Sequence, residues 1–116
     1  MPVLFFHNEA EESMGKIEEI KKEIDNIDNM IKHLRQSTDG LWNYINDHIS
    51  TTISMMMEIV EWAQQIVNSG IEFPINTVVQ QIQNMNESYT AKDEVLLADT
   101  LEYEIKNTFY VYMENN

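Results

Sequence analysis

Ile17, Ile20, Ile24, Ile27, Ile31 and Leu34 recur at alternating intervals of three and four residues. This is the a/d stripe of an α-helix carried over three heptads, and no other feature of the chain restricts its fold as much. Between the isoleucines stand Glu18, Glu19, Lys21, Lys22, Glu23, Asp25 and Asp28, which read as a solvated face. Because the stripe is narrow, the helix is expected to pack along a seam, as in a coiled coil. Asn8 followed by Glu11 has the spacing of a reciprocal helix cap, and the acids at 9, 11 and 12 suit the positive end of a helix, so the expected range is about 9–36.

QSTDG (36–40) is the expected turn. From Leu41 to Ser69 the period is again helical, but the apolar set from Leu41 and Ile45 to Ile66 and Val67 covers roughly 160° of arc, enough to touch two neighbours. Gly70 is the expected C′ residue, and the proline in IEFP prevents the helix from continuing. Val78, Val79, Ile82, Met85 and Tyr89 mark a shorter helix, about 76–89, with Thr77 and Gln80 at capping-box spacing. A last helix is expected over about 92–113. No alternating strand pattern, internal repeat or Gly/Ser linker interrupts this plan. The expected fold is all-α: a single domain spanning 1–116, built as an antiparallel four-helix bundle with two long and two shorter helices.

The absence of cysteine removes disulfides, thiolate nucleophiles and cysteine-based metal centres. Seven basic residues face twenty acids, for a net charge of −13. The first 35 residues hold five bases and eight acids, a net of −3; the other 81 hold only Lys92 and Lys106 against twelve acids, a net of −10. Nucleic acid and anionic membrane surfaces both require basic patches, so neither is an expected partner. The N-terminal MPVLFFHNEAEE has the wrong charge order for a signal peptide, and no run approaches the roughly 20 apolar residues of a membrane span. A cytoplasmic protein is the resulting expectation.

Residues 92–107, KDEVLLADTLEYEIKN, set five carboxylates among leucines and tyrosines. On a helical wheel Leu97, Ala98, Leu101, Ile105, Thr108, Phe109 and Tyr112 share the core arc, while the carboxylates scatter too widely for one metal ion to collect them. Asp99 and Glu102 are neighbours, and Lys106 is spaced to pair with Glu102. Leu96, Tyr103 and Tyr110, seven apart, project from the side away from that core, beside Asp99 and Lys106. Those five residues form the candidate interaction surface. Its cover is either another helix of the chain, a second copy, or a protein partner.

The pattern D-x-V-L-L-A-D-x-L-E-Y-E-I, from Asp93 to Ile105, resembles a C-terminal motif of small, uncharacterised all-helical proteins of Gram-positive bacteria. That resemblance covers about thirteen residues and implies a role for the acids and Tyr103, with no catalytic assignment. In architecture alone, the short acidic bundle is also similar to bacterial flagellar export chaperones.

Catalytic chemistry finds little support. None of His7, His33 and His48 follows a glutamate by three residues, as a di-iron bundle site requires. Glu9/Glu12 and Glu58/Glu61 lack the Glu-x-x-Asp pair that would complete a magnesium site. No catalytic, cofactor or metal residues are assigned, and no cofactor is expected. His48, on the apolar arc near Thr52 and Tyr44, is the one position at which a core site for an enzyme or a ligand-binding protein could form. Of Met55, Met56 and Met57 only the last points away from the core arc, and Trp42 and Trp62 lie at its edges. The leading expectation is a non-enzymatic protein–protein interaction module, a small chaperone or adaptor, with a homodimer through the heptad seam as a further use of helix one.

Overall fold

A computed structural model describes residues 2–66, 70 and 73–115, with side chains from residue 16 onward. The chain folds into α1 (Pro2–Gln36), α2 (Leu41–Gln65), α3 (Ile75–Thr90), α4 (Glu94–Asp99), a π-helical segment (Thr100–Ile105) and α5 (Lys106–Glu114). The last three are continuous and act as one rod, so the fold is an all-α bundle of four helical units, without strands among the described residues. α1 packs on α2 and on the last rod, and α3 packs on the same two. The 35 residues of α1 span about 52 Å at 1.5 Å per residue, which matches the 53 Å long axis of the molecule.

Several helix ends differ from the sequence-based expectation. α1 begins at Pro2, so the chain is already helical at Asn8 and no cap starts the helix near residue 9; the side chains of that expected cap lie outside the described residues. α2 stops at Gln65, with Ile66 as its cap residue. Gly70 does hold a positive φ of 85°, but it lies beyond this end and is not the C′ residue. α3 starts at Ile75 behind Pro74, before Thr77, and no side chain caps it. The turn leading in at proline displaces the capping box into the helix interior, where Thr77 and Gln80 have no cap to make.

The ends of α1 and α3 are built alike. Ser37 (φ 47°) and Lys92 (φ 56°) are left-handed. Thr38 N donates to His33 O at 3.3 Å and Asp93 N to Ser88 O at 3.0 Å, each reaching back five residues, which is the Schellman closure with a residue other than glycine at C′.

The isoleucine stripe is buried from Ile20 to Leu34, against this chain's own helices. It is broader than a coiled-coil seam, because Glu23 and Met30, seven apart at the neighbouring g position, are buried with it. Glu23 is therefore no part of a solvated face: it is 5% exposed and points into α2. It accepts hydrogen bonds from Thr52 Oγ1, from Thr51 Oγ1 at 3.1 Å and from Asn26 Nδ2 at 3.2 Å. These donors compensate for the desolvation of the carboxylate, which would otherwise forbid its burial. In α3 the inward positions are Val78, Gln81, Met85 and Ser88, with Gln81 accepting from Thr108 Oγ1 at 2.6 Å. Of the other apolar residues that mark this helix, Val79 is exposed, while Ile82 is partly buried against the core and borders the α2 side. Trp62 closes one end of the core, edge-on to Phe73 and to Tyr112 with ring centroids 5.2 and 4.8 Å away.

Candidate interaction surface

The last rod is set at its start by Asp93, whose carboxylate accepts from Leu96 N at 3.0 Å, an ordinary N-cap. Leu97 and Ala98 face inward from there and leave Val95 and Leu96 outside, 66% and 50% exposed. The π-helical segment follows. Lys106 N donates to Leu101 O, five residues back, and Thr100 Oγ1 donates to Leu96 O at 2.8 Å. A π turn holds one residue more than an α turn, so each of its residues rotates the chain less. Leu101, Ile105, Phe109 and Tyr112 all stay buried across it, as does every other member of the core arc read from the sequence.

On the outer side Tyr103 is 69% and Tyr110 43% exposed. The three residues read from the sequence as a stripe, Leu96, Tyr103 and Tyr110, are therefore all at the surface of the chain. The reduced rotation through the π segment turns Leu96 and Tyr110 apart around the rod, so the three do not keep the single line of a regular helix, and Val95 is exposed with them. Tyr110 leans toward α1, where it borders a hollow of about 360 Å³ with Lys21, Ile24, Asp25 and Met113.

Asp99 and Lys106, the two charged members of the candidate surface, are engaged with α1. Arg35 Nη2 lies 2.6 Å from Asp99 Oδ1 and 2.9 Å from Glu102 Oε2. Lys106 Nζ lies 2.6 Å from Asp28 Oδ1. The expected Glu102–Lys106 pair does not form, because each finds a partner on α1. Both partners, Asp28 and Arg35, occupy the e position of the heptad, while the buried g residues Glu23 and Met30 serve α2 or the core. Hydrogen bonds, to Asp99 foremost and then Glu102, raise the Arg35 pKa above its ordinary value. The hydrogen bond to Asp28 likewise raises that of Lys106, against partial desolvation. On the opposite flank Asn84 Nδ2 donates to Glu104 Oε1 at 3.3 Å. The carboxylates thus tie the rod to its neighbours on both sides, while Val95, Leu96, Tyr103 and Tyr110 are left exposed.

No family model, curated protein or solved structure matches the chain.

His48 is half-buried, with Nδ1 2.7 Å from Tyr44 O and its ring stacked on Tyr44 at 4.1 Å; a carbonyl only accepts, so Nδ1 carries the proton. Tyr44 meets His33 on the other side at 3.9 Å, making a short column of three rings. Met56 is buried and Met57 is 58% exposed. Trp42 and Trp62 are both partly buried. Among the described residues no three His, Asp or Glu side chains come together in a way that could hold a metal ion, and no helix is long and apolar enough to cross a membrane. A position the sequence reading passed over is Lys92, whose ammonium sits over the rings of Tyr89 (4.3 Å) and Trp42 (5.0 Å) and so fastens the α3–α4 turn to α2.

Proposed function

We propose that this chain is a non-enzymatic protein–protein interaction module, a small chaperone or adaptor acting in the bacterial cytoplasm, whose contact surface is the outer row of the last rod. One observation supports the reading above the rest: Val95, Leu96, Tyr103 and Tyr110, four of the six exposed large apolar residues among the described residues, all belong to one helical unit. Contiguous exposed apolar residues mark contacts more often than chance, and tyrosine is enriched at protein interfaces. The rim fits the same role. Asp99 and Glu102 share Arg35, so the row is bordered by charges already held in place, which lowers the ordering cost of binding.

The test is a pull-down with the wild-type chain and with the double variant Tyr103→Ala, Tyr110→Ala, read together with the molar mass in solution. Specific capture of one protein by the wild type, lost in the variant while helical content is unchanged, is the expected result. A 13.7 kDa monomer that captures nothing, or a variant that captures as well as the wild type, sinks the proposal. A dimer that the double variant dissociates assigns the row to a second copy.

A further inference from the structure

A second apolar feature lies between α2 and α3. Ile53, Met57 and Val60 of α2 and Val79 and Ile82 of α3 line a hollow of about 390 Å³, with Glu61 at its lip. It exists because the inward register of α3 runs through Val78, Gln81, Met85 and Ser88, which spends two core positions on polar residues and leaves Val79 and Ile82 beside α2. Met57 and Val79, the latter 38% exposed, stand open at its mouth.

The two helices that form this hollow carry charge of one sign, and Glu61 is the charged residue that lines it. From Gln36 to Ala91 the sequence has six acids and no lysine or arginine. Asp47, Glu58 and Glu61 on α2 and Glu87 on α3 are the only Asp or Glu residues of those helices, and none of them has an ion pair with a described residue. A second copy of the chain meeting this face through a two-fold axis would set these acids against themselves. An amphipathic helix with apolar residues at i, i+3/i+4 and i+7 and basic flanks satisfies both features, since its anchors enter the hollow and its cations meet unpaired carboxylates. The unbranched side chain of Met57 can repack around such anchors.

We infer that the α2/α3 hollow is a docking groove for a basic amphipathic helix of another protein, separate from the tyrosine row on the last rod.

Three fluorescent peptides of equal length test this by anisotropy against the full chain at physiological salt. One carries leucines at amphipathic helical spacing among lysines, the second scrambles that sequence, and the third replaces lysine with glutamate. The amphipathic lysine peptide is expected to bind at least about tenfold tighter than either of the others. Met57→Lys and Val79→Lys should each weaken it by about tenfold, whereas Asn43→Lys, an equal charge change at the start of α2, should alter it less than about twofold. The double variant Tyr103→Ala, Tyr110→Ala should bind the peptide as the wild type does, so failure of the tyrosine row and failure of the groove are read separately. Equal binding of the scrambled peptide reduces the effect to net charge and overturns the inference. Equal binding of the glutamate peptide, no effect of either groove variant, or a wild-type dimer that Met57→Lys dissociates overturns it as well.

Discussion

Lys106 Nζ lies 2.6 Å from Asp28 Oδ1, joining the C-terminal half of α1 to the point at which the π-helical segment passes into α5. The pairing raises the lysine pKa above its ordinary value of about 10.4, so its stabilisation is fully present below that pH and is lost as the pH rises through the higher folded-state value. Lys106→Met is expected to be less stable than the wild type at pH 7, by no more than about 1 kcal/mol for so solvent-screened a pair. The gap should close in the alkaline range. Urea unfolding of both proteins at pH 7 and in steps above pH 10 checks this, and a gap that does not change with pH assigns the loss to packing of the lysine stem.

Glu23 makes a different kind of demand, because it is a carboxylate inside the α1/α2 contact with Thr51, Thr52 and Asn26 as donors. Glu23→Met alone leaves buried Thr52 without its acceptor, a loss of about 1–3 kcal/mol. Adding Thr52→Val removes the orphaned hydroxyl and should recover most of that loss, since replacing both partners by apolar groups is nearly neutral. Urea midpoints of the two variants decide the point; a double variant no more stable than the single one means the glutamate is retained for something other than its hydrogen bonds.

Phe109 and Tyr110 are adjacent in sequence and opposite in role, the first fully buried and the second at the surface. Phe109→Ala should cost about 3–5 kcal/mol. Tyr103→Ala, at the most exposed tyrosine of the row, should change stability by no more than about 0.5 kcal/mol. Thermal unfolding of the pair tests the facing of the whole rod, and a large loss at Tyr103 would show that the row is covered within the chain.

Gly40 begins α2 with a φ of 70°, and a Cβ built on it meets nothing within 4 Å. Gly40→Ala therefore pays only the left-handed backbone penalty, about 1–2 kcal/mol. Gly40→Asn should lose less, because asparagine tolerates that conformation. Equal losses in denaturant melts would point to a role beyond backbone geometry.

The helical plan was legible because hydrophobic period is a long-range signal: the stripe from Ile20 to Leu34 and the inward set of the last rod are both where periodicity puts them. Single polar residues were not. Glu23 reads as solvent-facing because its threonine donors lie on another helix, about thirty positions away, and local sequence cannot announce them. Val79 and Ile82 mark their helix by period, but apolar character alone does not tell the exposed Val79 from Ile82, which packs against the core. The π segment left no trace, since no residue type between Thr100 and Ile105 favours five-residue hydrogen bonding over four. The expected Glu102–Lys106 pair failed for the same reason as Glu23: the competing partners, Arg35 and Asp28, lie on another helix far off in sequence.

The π-helical segment also makes the last rod tolerant of length change. It contains one residue more than regular α-helix needs to make the same turn. A chain lacking a single residue between Leu101 and Ile105 could revert to four-residue hydrogen bonding and still present Leu97 and Phe109 to the interior, whereas a deletion inside α1 or α2 would throw half of the helix out of phase with the core. A length change within the helices would accordingly be absorbed at this point before any other, and it would re-aim the exposed tyrosines while sparing the fold that carries them.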